Sequence, residues 1–202
     1  MFKHTIPSIF PLIAPTLTWR VNTTDKVLYF TFDDGPHPTI TPQLLKLLNK
    51  YEAKATFFCV GDNVKKYPEI FAQIVANGHT IGNHTYHHLK GWTTTNQKYI
   101  LDIEAANKII PSTLFRPPYG RITPAQVKLL KGKYKIIMWS LLTRDYDKNL
   151  NPYKALKSLN KLAKPGEIIV FHDSEKAHKN MFVMVEGMLK NFSAKNYSFK
   201  SL

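Results

Sequence analysis

The chain has 202 residues, 44% hydrophobic and 12% aromatic, which excludes a disordered polymer and suffices for one substantial core. Its single cysteine, Cys59, excludes an internal disulfide framework, and no apolar run approaches the roughly 20 residues that span a bilayer. With 28 Lys and Arg against 14 Asp and Glu, the formal charge is +14, a field that draws polyanions.

Lys3 and the apolar stretch over residues 6–14 have some of the form of an export signal. Pro7, Pro11 and Pro15 interrupt it, and no small-x-small cleavage site follows. Residues 1–25 therefore read as an N-terminal arm packed on a single domain spanning 1–202. That reading favours the cytoplasm and leaves a cell-envelope or secreted location open. The first strand is expected over 27–32, and Thr31-Phe32-Asp33-Asp34-Gly35-Pro36 closes it. Two adjacent carboxylates at the edge of a core repel one another and are costly to desolvate, so they imply a cation or a catalytic task.

Thr41-Pro42 then starts a helix whose buried face carries Leu44, Leu45, Leu47 and Leu48. A strand over 55–60 takes Cys59 into the core. Pro68 opens a second helix, which Asn77-Gly78 stops. The strand over 79–83 runs into His84-Thr85-Tyr86-His87-His88. Tyr99, Ile100, Ile103 and Ala106 follow helical spacing before a strand over 113–116. Thr123-Pro124 begins another helix, and an apolar run over 134–140 reads as one strand, with Trp139 in the core. Leu156, Leu159 and Leu162 mark a helix before Pro165-Gly166, 167–172 is a strand ending at His172, and a final amphipathic helix covers 181–192. A weak last strand is expected over 197–202. Lys128, Lys131, Lys133, Lys154, Lys157, Lys161 and Lys164 fall on helix faces as solvated charge. No nucleic-acid motif accompanies them, and no nucleic-acid partner is expected.

Repeated strand-then-helix order predicts parallel strands covered by helices. Asp33, Asp34, His84, Arg116, Asp145 and His172 all fall just after strands. In parallel α/β folds those C-terminal ends form the active face. Carboxylates and imidazoles gathered there suit metal-assisted hydrolysis.

Five segments in order resemble the NodB-type polysaccharide deacetylases (carbohydrate esterase family 4). They are Thr31-Phe32-Asp33-Asp34-Gly35-Pro36; His84-Thr85-Tyr86-His87-His88; Arg116-Pro117-Pro118-Tyr119-Gly120; a degenerate Trp139-Ser140-Leu141-Leu142-Thr143-Arg144-Asp145-Tyr146; and Ile168 to His172. The likeness covers residues from about 26 to 190. It implies a distorted (β/α) barrel of six to seven parallel strands and a hydrolase that removes acetyl groups from an acetylated carbohydrate. N-acetylglucosamine units of peptidoglycan or chitin-like glycans are the expected substrate. An O-acetylated polysaccharide such as xylan is the alternative, and a silent metal-containing glycan binder is another. Retention of Asp33, Arg116, Asp145 and His172 argues against the silent binder, which needs neither acid nor base.

The resemblance also implies roles. Asp34, His84 and His88 would ligate a divalent metal, zinc before cobalt, nickel or iron, while His87 faces away. A lone histidine is more often an ordinary core or surface residue, but here two come with a distant aspartate. Asp33 matches the general base and Arg116 the residue that pairs with it. The Tyr119 backbone N–H matches an oxyanion donor, His172 the general acid and Asp145 its carboxylate partner. Asp-Asp-Gly-Pro is also turn chemistry, which explains one aspartate but not two. Asp173 reads as a helix N-cap or a supporting group. Tyr119, Pro118, Tyr146 and Trp92 are the expected substrate contacts. Leu142, where many relatives carry an acid, and Tyr146, where they usually carry Trp, put the shape of the acyl pocket in question.

Overall fold

In a computed structural model of the protein, residues 4, 5, 12 and 14–202 are described. Much of the expected arm and of the export-like stretch (residues 1–3, 6–11 and 13) lies outside the described residues. The elements run β1 (Val27–Asp33), α1 (Ile40–Lys50), β2 (Thr56–Cys59), α2 (Gly61–Lys66), α3 (Pro68–Ala76), β3 (Thr80–Asn83), α4 (Asn96–Asn107), β4 (Leu114–Phe115), α5 (Pro124–Leu130), β5 (Lys135–Ile136), β6 (Leu141–Leu142), α6 (Pro152–Leu162), β7 (Ile168–His172), α7 (His178–Ser193) and β8 (Ser198–Phe199).

Seven strands pair in the order β5-β4-β3-β2-β1-β7-β6, every neighbour parallel, while β8 pairs in parallel with Val27 and Leu28 of β1. The parallel pairing is what the alternation of strands and helices predicts, and the curled, incomplete barrel is what the family resemblance implies. Side-chain alternation along β1 divides the molecule. Leu28, Phe30 and Phe32 join the core beneath the helices, where Phe32 stacks on Phe57 and Phe171 with ring centroids 5.1 and 5.5 Å apart. Tyr29, Thr31 and Asp33 point the other way. Tyr29 packs against an inner cluster of Phe58, Ile137 and Ile168.

Most helix signals act where expected. Asn77 caps α3 ahead of Gly78 at φ 72°, and Thr123 and Gln126 form a reciprocal capping box on α5. Thr41 differs. The helix begins at Ile40, and the buried Thr41 hydroxyl bonds instead to the Asp173 carboxylate at 2.5 Å and to the His37 amide at 2.8 Å.

The expected strand over 134–140 is divided. β5 pairs with β4, the chain then crosses an open seam, and β6 pairs with β7 at the opposite margin of the sheet. Across the seam the carbonyls of Ile137 and Met138 accept from the Arg116 guanidinium at 3.2 and 2.8 Å. N-terminal residues also bridge there, Thr18 with Ile137 and Thr5 with Leu141. Backbone groups that a continuous ladder would satisfy are thus satisfied by a side chain and by the N-terminal segment. Among the described residues no helix is long and apolar enough to cross a membrane.

Candidate metal and hydrolytic centre

The parallel register delivers the ionisable residues to one end of the sheet. Asp33 is opposite His172 of β7 and Phe58 of β2, so the ends of three strands share one rim. Just beyond β1, Asp34 takes φ 80°, a left-handed conformation that is strained for a side-chain-bearing residue. The Asp34 carbonyl accepts from Asn63 Nδ2 at 2.7 Å. The Gly35 N–H donates to Asp173 at 3.1 Å, and a Cβ at Gly35 would fall on that carboxylate. Asp173 therefore braces the Asp-Asp-Gly-Pro turn from below through Gly35 and Thr41. It is not a helix N-cap, since α7 starts only at His178 behind Ala177. Burial pushes the Asp173 carboxyl up to about 8, against the hydrogen bond from Thr41 and helped by the charge of Asp34.

His84 and His88 converge through a loop, not through a helical turn. Thr85 at φ 64° and His88 at φ 55° bend it, and Asn83 Oδ1 and Thr85 Oγ1 accept from the backbone N–H groups of Thr85 and Leu89 at 2.8 and 3.0 Å. Asp102, buried on α4, accepts from the amides of Tyr86 and His87 at 2.8 and 3.0 Å and pairs with the His87 ring at 2.5 Å. His87 is thereby turned out toward solvent, as expected. Sequence reading missed Asp102. Its only signal was a carboxylate inside the buried Tyr99, Ile103 and Ala106 stripe of a helix.

The result is a cluster in which donor atoms of Asp34, His84 and His88 all lie within 4.8 Å of one another. Asp34 Oδ1 is 3.2 Å from His88 Nε2 and 3.8 Å from His84 Nε2. The Arg116 carbonyl accepts from His84 Nδ1 at 2.8 Å, a partner that fixes the tautomer and leaves the Nε2 lone pair facing Asp34. Burial pushes the His84 imidazole down to about 4 despite the pull of Asp33 and Asp34, so it is neutral, as ligation requires. One carboxylate and two imidazoles, half open to solvent at Asp34 and His88, fit a divalent cation that keeps free positions.

Two ion pairs lie on the same rim as the cluster. In one, Arg116, fully buried, donates to Asp33 at 2.7 Å and to Thr31 at 2.6 Å, with its carbon 4.1 Å above the Phe58 ring. In the other, Asp145 accepts from His172 Nδ1 at 2.7 Å and from the His172 amide at 2.8 Å. Burial alone would lower the His172 pKa, but Asp145, with Asp34 and Asp33 behind it, raises it to about 9.

Tyr119 follows the buried Pro118, sits at φ 60° with its ring exposed, and lies 4.8 Å from the His88 ring. Its N–H has no acceptor among the described residues. A Cβ at Gly120 would strike Trp139, so that glycine holds the turn close. Tyr146 meets the His172 ring edge-on at 5.0 Å. Trp92 stands further out, on a 3₁₀ turn whose indole N–H donates to the Ile122 carbonyl at 3.2 Å.

Comparison with known proteins bears on the family and the fold. The sequence profile described as polysaccharide deacetylase matches residues 20–133. A peptidoglycan-N-acetylglucosamine deacetylase of Bacillus cereus is 35% identical over 196 residues, covering 93% of this chain and 92% of that protein. A chitooligosaccharide deacetylase of Azorhizobium caulinodans is 32% identical over 166 residues, covering 76% of this chain and 77% of the relative. The solved structure of the Bc1960 peptidoglycan N-acetylglucosamine deacetylase, in complex with 4-naphthalen-1-yl-N-oxidanyl-benzamide, superposes with a TM-score of 0.85 at 28% identity, over 98% of this chain and 95% of that one. With a profile across more than half its length and a 35% identical relative across most of it, the chain belongs to the NodB-type polysaccharide deacetylases (carbohydrate esterase family 4), a metal-dependent family of hydrolases.

Proposed function

We propose that the whole chain, acting as one catalytic domain, releases acetate from N-acetylglucosamine units of peptidoglycan or chitin-like glycans, with zinc in the Asp34, His84 and His88 cluster. The observation that carries this reading is a three-donor cluster beside two oppositely built ion pairs. The Asp33 carboxylate is held by a cation, and the His172 imidazole is held by a carboxylate. When bound, a divalent cation supplies Lewis acidity, activating water and polarising the acetyl carbonyl.

Asp33 accepts the proton of the attacking water, and Arg116 keeps its carboxylate aimed while donating to Thr31 as well. The free Tyr119 N–H donates to the oxyanion of the tetrahedral intermediate. His172, charged through Asp145, gives its proton to the departing amine. Arg116 and Asp145 act through the base and the acid and are positioning residues. Tyr146, edge-on to His172, walls the acyl pocket. Pro118 fixes the turn that presents Tyr119, and Trp92 offers a ring for a sugar further along the glycan.

An acetate-release screen over peptidoglycan fragments, chitooligosaccharides and O-acetylated xylan, with and without chelator, tests this reading. Chelator-sensitive release from the N-acetylated glycans is the expected result. Release from xylan alone would assign an O-acetyl esterase, and no release from any glycan in metal-loaded protein would overturn the proposal.

A further inference from the structure

Two loops leave the reaction centre side by side. They touch first at His88 and Tyr119, whose rings lie 4.8 Å apart. They meet again four residues past His88 and two past Tyr119, where the Arg121 guanidinium carbon lies 4.8 Å from the Trp92 ring centroid. Between these contacts the backbones run close, because a Cβ at Gly91 would fall on the Arg121 carbonyl oxygen. Gln126 Nε2 donates to the Gly91 carbonyl at 2.9 Å from within the α5 capping box. Trp92 is thus 60% exposed and yet held in one orientation by its neighbours and by the bond to Ile122.

A fixed, exposed indole is a stacking surface for the apolar face of a sugar ring. Arg121 adds a second property. Stacked on the indole, it makes no ion pair with any acidic group among the described residues. Stacking occupies the face of a guanidinium and leaves its N–H edge for planar, two-pronged recognition of a carboxylate.

We propose that Trp92 and Arg121 form a subsite for a neighbouring sugar that carries a carboxylate, so that the enzyme prefers an anionic glycan to a neutral chitin-type chain. The proposal rests on the deacetylase reading of the adjoining centre and names the substrate class within it. Peptidoglycan offers such a carboxylate either on a lactyl group free of peptide or, where that group is amidated, on the stem peptide, whereas a chitooligosaccharide carries no carboxylate. Four residues of chain span at most roughly 14 Å, which keeps the subsite within reach of the sugars next to the reacting unit. The formal charge of +14 adds a long-range attraction for the same polymers.

The test compares kcat/KM for acetate release from three tetrasaccharides: chitotetraose, a peptide-free peptidoglycan glycan with free lactyl carboxylates, and that glycan carrying stem peptides. Arg121→Gln is expected to lower kcat/KM about tenfold, through KM, on a carboxylate-bearing substrate while chitotetraose stays within about twofold. Which peptidoglycan substrate suffers identifies the carboxylate. Trp92→Ala is expected to weaken all three by about tenfold. An Arg121→Gln effect that is absent, or equal on all three, overturns the subsite. If no wild-type substrate releases acetate, the deacetylase reading falls instead. Calorimetric binding of the same tetrasaccharides then decides the subsite, with a carboxylate-selective loss in Arg121→Gln supporting it and its absence overturning it.

Discussion

Asp33 is buried against a guanidinium that has no other carboxylate partner in the described structure, so its replacement has two separable effects. Asp33→Asn keeps the volume and removes the proposed base. Acetate release is expected to fall at least about 100-fold. The same change leaves the Arg116 charge uncompensated in the interior, a loss of up to about 3–5 kcal/mol that the bonds to Thr31, Ile137 and Met138 moderate. Thermal melting beside the activity assay separates the two. For His172 the sign follows from a pKa raised to about 9 from 6.5. The charged imidazole stabilises the fold fully below pH 6.5 or so, and the contribution is lost as pH rises through about 9. Asp145→Asn removes the chief carboxylate raising that pKa. It is expected to bring the alkaline limb of kcat/KM toward neutral pH and to lower the melting temperature of metal-free protein most below about pH 6.5, the difference fading as pH rises through about 9. An unmoved limb in the pH profile would disconnect Asp145 from the acid. These residues were legible in the chain because each lies in a short motif after an apolar run. Asp102 and the Asp173 brace were not, since their partners are amides and a hydroxyl 15 to 138 positions away that no local pattern announces.

At the scale of elements, the centre depends on turns more than on strands. Asp34, Thr85, His88 and Tyr119 all have positive φ without being glycine, and each is tied down by hydrogen bonds or packing around it. The turn from Arg116 to Gly120 makes this testable. In the proposed mechanism Tyr119 acts through its N–H, and its ring is exposed. Tyr119→Ala is expected to cost less than about tenfold in kcat, whereas Gly120→Ala, forced off Trp139 and strained at φ 65°, displaces the N–H and is expected to cost about 100-fold. Steady-state kinetics of both variants check the order, and the reverse order would assign the role to the ring. The strands were read correctly from their apolar runs except at 134–140. There the pattern is continuous but the hydrogen bonding is not, because Arg116 from a distant position accounts for the carbonyls of Ile137 and Met138.

Across the whole molecule, one parallel sheet curls until β5 and β6 face each other over a seam, and the same Arg116 that spans this seam also holds Asp33 and presents the carbonyl that orients His84. The seam, Asp33 and His84 therefore meet in one buried residue, the first two through its guanidinium and the third through its backbone carbonyl. Loading the cluster with a cation is expected to raise the melting temperature in a concentration-dependent way, since the unfolded chain cannot assemble the three donors. The most direct measurement is a zinc titration of chelated protein, following acetate release from a peptidoglycan fragment alongside bound metal. Activity is expected to rise in proportion to zinc and to level at one equivalent in the wild type, with neither uptake nor release in Asp34→Ala. Full activity in the metal-free protein, or unchanged zinc uptake and hydrolysis in Asp34→Ala, would contradict it.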